Sequence, residues 1–81
     1  MENNMIIKTN EMFGDLRIVM VDSEPWFVGK DVAEKLGYSN PQKAVRNHVD
    51  DEDKGVNEMD TPGGKQNIII INESGLYSLI L

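Results

Sequence analysis

A helix-breaking stretch in the middle of the chain, from Gly37 to Pro41, limits the fold more than any other feature. Gly37 favours the end of a helix, because glycine adopts the left-handed conformation without a Cβ clash. Asn40 can then cap a new helix with its side-chain oxygen, and Pro41 suits the first helical position, where no N–H is needed. The sequence therefore predicts two short helices, at about 29–36 and 41–48, joined by a tight turn.

Each of the two predicted helices has one apolar face. In the first helix, Val32, Ala33 and Leu36 fall on the same side. In the second, Ala44 and Val45 face inward, while the remaining positions are polar. We therefore expect both helices to pack against a common core.

Strands are predicted on both sides of the helix pair. The first candidate strand runs over 5–13, followed by a turn at Gly14-Asp15, a β-branched strand over 16–21, a turn over 22–25 and a short apolar strand over 26–28. Because these strands are joined by short turns, neighbouring strands are predicted to pair antiparallel.

Two further strands and a helix are predicted after the helix pair. The strands cover 56–60 and 66–71, and Pro62-Gly63 is the expected centre of a type II turn between them. Asn72 can cap the last helix. The fold class is thus α+β: a small antiparallel sheet with hairpins, a helix-turn-helix-like pair of short helices, and a C-terminal helix.

Length and composition predict one small domain that is not an enzyme. The chain has 81 residues, no Cys and a single His, so thiolate metal sites, disulfides and thiol nucleophiles are excluded. Gly63-Gly64-Lys65 lacks the rest of a phosphate loop and is better explained as a hairpin tip. We expect no cofactor and no metal, and interpret the acidic run at 50–53 as a solvated loop.

No part of the sequence predicts contact with a membrane. The longest apolar runs fall far short of the roughly 20 residues of a membrane-spanning helix. The N-terminus lacks the basic start and apolar stretch of a signal peptide. A cytoplasmic protein fits these features and the absence of Cys.

The charge of the chain is unevenly distributed. The formal net charge is −6, which argues against nucleic-acid binding by the surface as a whole. Residues 29–49, however, carry four basic residues against two acidic ones, whereas the rest has four basic and twelve acidic. The bases of this segment are Lys30, Lys35, Lys43 and Arg46.

The helix pair partly matches a helix-turn-helix unit. Ala33 and Gly37 fit the small residue of the first helix and the glycine of the turn. Ala44 and Val45 come one or two positions later than expected for the anchors of the second helix. An ordinary helical hairpin with a polar outer face explains the spacing equally well.

The outer face of the second helix carries residue types that bind nucleic acid. Such side chains hydrogen-bond phosphates and base edges. They are Gln42, Lys43, Arg46 and Asn47. The aromatic residues lie in apolar runs, so we assign Trp26, Phe27 and Tyr38 to the core, with Val32 and Leu36, and not to base stacking.

Several separate stretches together resemble one known family. They are PWFVGKDVAEKLGY at 25–38, NPQKAVR at 40–46, HV at 48–49 with DKG at 53–55, and NESGLY at 72–77. In this order they resemble the N-terminal domain of the BRO family, named for baculovirus repeated open reading frames and common in prophage antirepressors. The likeness covers the chain from about Phe13 onward.

This resemblance implies the DNA-binding domain of a prophage antirepressor-type transcription regulator. Residues 1–81 would form a single domain, the N-terminal part of a longer protein with a separate C-terminal domain. An antirepressor can also act by binding a phage repressor protein, and the acidic balance of this chain suits that alternative.

For the DNA-binding interpretation, the sequence nominates specific contacts on double-stranded DNA. Arg46 would be the leading base or phosphate contact, since its planar fork suits both. Lys43, Lys30 and Lys35 would contact phosphates. Asn47 could read an adenine edge, although an ordinary solvated helix residue is the simpler interpretation, and Gln42 is a further candidate.

The apolar stripe of the terminal helix predicts a homodimer. Leu76, Leu79 and Ile80 are spaced so that they share one helix face. Part of this stripe should pack on the domain's own sheet, and any part left exposed should drive self-association.

Overall fold

An antiparallel sheet and three short α-helices make up residues 5–10 and 14–81, the ranges that the computed structural model describes. The elements are β1 (Met5–Asn10), β2 (Gly14–Val21), β3 (Glu24–Val28), α1 (Gly29–Lys35), α2 (Pro41–His48), a 3₁₀ turn (Asp51–Asp53), β4 (Lys54–Thr61), β5 (Gly64–Ile71) and α3 (Glu73–Ile80). The strands lie in the order β1-β2-β3-β5-β4, and each neighbouring pair is antiparallel. The predicted α+β class is confirmed.

Strand β2 begins earlier than predicted. Gly14 and Asp15 belong to β2, where Gly14 pairs with Asn10 and takes a φ of +73°. The prediction of a turn at these two residues is therefore wrong, because the positive φ of Gly14 begins the strand. The end of the predicted first strand, 11–13, lies outside the described residues.

Two tight hairpins shape the rest of the sheet. Asp22 and Ser23 have φ of 50° and 67° between the paired Val21 and Glu24, as a type I′ turn requires. The turn predicted over 22–25 is thus confirmed only for 22–23, because β3 already begins at Glu24. The second hairpin turns at the predicted residues, 62–63, but the predicted type II turn is wrong, because the positive φ falls at Gly64 (+115°) and not at Gly63. β4 and β5 also extend further than expected.

The predicted break between α1 and α2 is confirmed in detail. Gly37 has a φ of +91°, and its N–H donates to the carbonyl of Glu34, at 3.1 Å. The N–H of Tyr38 donates to the carbonyl of Ala33, also at 3.1 Å, which completes a Schellman motif. Asn40 accepts from the N–H of Lys43 at 3.2 Å and caps α2.

The core lies where the three helices meet the sheet. Its buried members are Leu16, Val32, Ala33, Ala44, Val45, Val49, Ile71, Leu76 and Leu79. Phe27, Leu36 and Tyr38 are partly buried against it, and Trp26 is also half-buried, in line with their assignment to the core. The Tyr38 hydroxyl donates to the carbonyl of Leu79 at 2.7 Å, which ties the helix-pair turn to α3.

The acidic run at 50–53 is only partly the solvated loop that the sequence predicts. Its last three residues form a 3₁₀ turn, and Asp53 is half-buried. The side-chain amide of Asn72 donates to Asp53 Oδ1 at 3.1 Å, and the N–H of Asn72 donates to the Asp53 carbonyl, also at 3.1 Å. Asp53 therefore positions the residue that caps α3.

The apolar stripe of α3 divides between the core and the surface. Leu76 and Leu79 are buried, whereas Ile80 is 41% exposed and Tyr77 and Leu81 are also exposed. The expectation that part of the stripe packs on the domain is confirmed, while the homodimer stays a prediction. None of the described helices has the length and apolar character needed to cross a membrane.

Candidate nucleic-acid interface

The outer face of α2 displays polar side chains to solvent. Gln42, Lys43, Arg46 and Asn47 are all exposed, while Ala44 and Val45 hold the helix to the core. No Asp or Glu occurs within α2. This face can therefore approach a polyanion without direct repulsion from its own helix.

This face has two flanks. Residues four apart on a helix are neighbours, so Gln42 lies beside Arg46, and Lys43 lies beside Asn47. Gln42 and Arg46 line a groove of about 720 Å³ between α2 and the β4–β5 hairpin. Lys43 and Asn47 line a shallower depression of about 170 Å³ on the other side of the helix. His48 also lines that depression, with its ring centroid 5.6 Å from that of Tyr38.

The groove beside α2 is rich in cations. Arg17 from β2, Lys30 from α1, Arg46 from α2 and Lys54 from β4 all line it. Asp51 is the one carboxylate among the described lining residues. Four elements that are distant in sequence thus direct positive charge to one surface.

Amides and apolar side chains complete the lining of the groove. Gln66 and Asn67 from β5 add hydrogen-bonding groups that carry no charge. Val56 and Ile69 lie directly opposite each other across β4 and β5, and are 62% and 44% exposed. The hairpin therefore presents a small apolar strip beside the cations.

A two-point ion pair fixes Arg17 at the wall of the groove. Its Nε and Nη2 each donate to a carboxylate oxygen of Asp31 at 2.7 Å. This bidentate geometry joins β2 to α1 and restricts the guanidinium to one orientation. The hydrogen bonds to Asp31 raise the pKa of Arg17, and partial burial opposes that shift.

Two weaker ion pairs also bear on the groove. Lys54 Nζ lies 3.2 Å from Asp51 Oδ1, with the lysine side chain largely buried and the carboxylate fully exposed. Lys30 Nζ lies 3.9 Å from Glu34 Oε1 on the surface of α1. Because the carboxylate of each pair is open to solvent, which screens the attraction, both lysines can exchange their carboxylate for another anion.

Comparison with known proteins decides the family. The model of the BRO family N-terminal domain, Bro-N, matches residues 15–81. The chain belongs to the BRO family. The resemblance carried by the quoted sequence stretches is therefore confirmed.

Relatives of this Bro-N domain occur in a bacterium and in a virus. The chain is 40% identical over 74 residues to an uncharacterized protein of Haemophilus influenzae, which covers 85% of this chain and 36% of that protein. It is 36% identical over 75 residues to a protein of Invertebrate iridescent virus 6 named for a Bro-N domain, covering 70% of this chain and 18% of the viral protein. No solved structure matches the chain. The chain thus spans well under half of either relative.

The Bro-N structure brings together some of the residues nominated from the sequence. Lys30, Gln42 and Arg46 meet in the groove, and Lys43 and Asn47 lie on the adjoining flank of α2. Lys35 lies apart from both groups: its Nζ is 3.7 Å from the position that a Cβ on Gly14 would take. The nominated set is therefore a surface formed by α2 and Lys30, and a separate lysine, Lys35, at the other end of α1.

Sequence reasoning missed two of the four groove cations. Arg17 stands within a run of apolar strand residues, and Lys54 directly follows the acidic run. A charged residue inside an apolar strand is a signal worth noting, since it must find a partner or solvent. Only the strand register and the packing of α1 show that Arg17 reaches the same groove as Arg46.

Proposed function

We propose that this Bro-N domain binds double-stranded DNA through the outer face of α2, as the DNA-binding part of a prophage antirepressor-type transcription regulator. The observation that carries the proposal is the exposed, acid-free face formed by Gln42, Lys43, Arg46 and Asn47. Arginine can bind guanine edges with two hydrogen bonds, and the amide side chains can bind adenine in the same way. The proposed activity is binding without catalysis, in the cytoplasm where DNA is accessible.

The division of α2 into two flanks suggests how the helix would lie on a duplex. Arg46 and Gln42 face the groove, and Lys43 and Asn47 face the opposite side, so the helix presents hydrogen-bonding groups on both. A helix inserted into the major groove has a DNA strand on each side, so both flanks of α2 would have groups to contact. Lys30, at the start of α1, is then placed to contact a phosphate.

A paired set of double variants tests the role of α2. Replacing Lys43 and Arg46 with Ala should weaken duplex binding by roughly tenfold or more, since one good base contact is worth about 1–3 kcal/mol. The control replaces Lys35 and Lys65 with Ala, which removes the same charge from positions outside α2 and its groove. Fluorescence anisotropy with a labelled duplex of about 20 base pairs, two helical turns, measures both variants.

Equal losses in the two double variants would contradict the proposal, because they would show that only net charge matters. A clear loss in the α2 variant, with a near-normal control, supports it. The thermal melting of both variants is compared first, so that a folding defect is not mistaken for a binding defect.

A second candidate function is the binding of a phage repressor protein. The net charge of −6 favours it, since an acidic surface suits a basic protein partner better than a polyanion. In that case, duplex DNA would not bind measurably even at low salt. Substitutions of the exposed acids Asp50 and Glu52 would then weaken the protein complex.

A further inference from the structure

The groove between α2 and the β4–β5 hairpin concentrates positive charge in an acidic protein. The whole chain has eight basic and fourteen acidic residues. Four of the eight basic residues line this groove, against one carboxylate among the described lining residues. Arg17, Lys30 and Lys54 are each paired with a carboxylate, so an anionic ligand in the groove must compete with those pairs for their positive charge.

We infer that this groove is a second DNA-contact element. It binds the phosphate backbone beside the duplex groove that α2 enters, and Asp51 competes with the phosphate for Lys54. The inference rests on the proposed DNA binding and adds β2 and the hairpin to a surface that the helix pair alone would define. Lys54 and Arg17 are the phosphate contacts. In the free protein Asp51 is paired with Lys54, and a phosphate oxygen displaces it when DNA binds.

The geometry of Lys54 and Asp51 supports this exchange. The lysine side chain is only 18% exposed, so the protein positions it, whereas the Asp51 side chain is fully exposed and held by a single contact of 3.2 Å. A phosphate offers a lysine the same kind of oxygen acceptor with at least as much charge. Displacement of Asp51 therefore costs only a weak surface ion pair.

The guanidinium of Arg17 is preorganised for a phosphate by its contacts with Asp31. Its contacts with Asp31 use Nε and Nη2, so the orientation of the guanidinium is set before any ligand arrives. An arginine held in this way loses little side-chain entropy on binding. Asp31 acts here as a positioning residue for Arg17.

The rest of the lining favours a duplex backbone over single-stranded nucleic acid. Single-strand sites stack bases on aromatic side chains, and the described lining residues of this groove include no aromatic ring. They offer instead the apolar strip of Val56 and Ile69 and the amides of Gln66 and Asn67. Those groups suit deoxyribose and phosphate oxygens at the edge of a duplex.

The decisive comparison is between two neighbouring acidic residues. Asp51→Asn and Glu52→Gln each remove one exposed negative charge, but only Asp51 lines the groove and pairs with Lys54. We expect Asp51→Asn to tighten duplex binding about two- to fivefold at low salt, the range of a weak ion pair, and Glu52→Gln to have a smaller effect. Asp53 is left unchanged, because it holds the cap of α3.

A substitution of the lysine itself completes the test. Lys54→Met keeps the apolar stem and removes the charge, so it should weaken duplex binding and lower the salt slope by about 0.9, one phosphate contact. In the Lys54→Met background, Asp51→Asn should lose its advantage over Glu52→Gln. Melting temperatures of all variants confirm that each is folded.

Each outcome has a defined meaning. The groove assignment would be overturned if Asp51→Asn and Glu52→Gln bound duplex DNA equally and Lys54→Met left binding unchanged. If the α2 variants still weakened binding, the proposed function would stand. Absence of duplex binding by the unaltered protein would remove both. Polyglutamate that displaces DNA at a lower concentration than unlabelled duplex, dependent on Lys54, would overturn the assignment in favour of an acidic protein segment.

Discussion

Gly75 leaves no room for a side chain in the packing of α3. A Cβ at this position would lie 2.9 Å from Val49 Cγ1, 3.0 Å from Ile71 Cβ and 3.3 Å from the Asp53 carbonyl oxygen. The glycine thus lets α3 approach the sheet and the 3₁₀ turn more closely than any other residue would. Two of the three neighbours are short branched side chains in the core, which cannot move aside cheaply.

Replacing Gly75 with Ala should therefore destabilise the fold, although alanine is the better helix former. The gain in helix propensity is about 1 kcal/mol, whereas forcing a methyl group into a packed core costs about 1–3 kcal/mol. Ser74→Ala, on the exposed side of the same helix, is the matched control and should change stability by no more than about 0.5 kcal/mol. Urea denaturation measures both, and a Gly75→Ala variant more stable than Ser74→Ala would contradict the packing described.

At the scale of elements, two asparagine caps differ in what depends on them. Asn72 accepts from the N–H of Gly75 at 2.9 Å and also donates to Asp53, so it joins α3 to the 3₁₀ turn. Asn40 accepts one N–H, that of Lys43, at 3.2 Å in an exposed setting. The first cap is a tertiary contact, and the second is local.

Asn72→Ala should accordingly cost more stability than Asn40→Ala. Loss of a cap costs about 0.5–2 kcal/mol, and we expect Asn72 at the upper end, because Asp53 also loses its partner. We expect Asn40 at the lower end of that range, since water can replace an exposed cap. Chemical denaturation of the two variants gives the comparison, and equal losses would contradict the tertiary role of Asn72.

The sequence allowed the helices to be predicted well because their ends are set locally. Gly37, Asn40 and Asn72 act on residues three or four positions away, and all three perform the predicted roles. The turn at Gly14 was misplaced because a glycine with positive φ fits either a turn or a strand end. Pairing with Asn10, on another strand, decides between them.

The candidate site was only partly predictable for a related reason. The α2 face follows from helical periodicity, so Gln42, Lys43, Arg46 and Asn47 could be identified from spacing alone. Arg17 and Lys54 join it through the pairing of strands and the packing of α1 on the sheet. No local pattern encodes those distances.

At the scale of the whole molecule, the separation of charge determines what the domain can bind. The structure measures about 33 × 25 × 25 Å, so one copy can cover about one turn of B-form DNA, roughly 34 Å. Among the described residues, the α2 face and its groove bring five of the basic side chains together over that span. The acidic residues outside the α2 face and its groove should repel DNA. The protein should therefore bind DNA with the α2 face towards the duplex.

The salt dependence of duplex binding by the unaltered 81-residue protein tests this account most directly. Each phosphate contact releases counterions and contributes about 0.9 to the slope of log affinity against log salt. With so few cations on the interface, we predict a slope between about −2 and −4 per monomer. A slope near zero, or no binding to any duplex at low salt, would contradict the account.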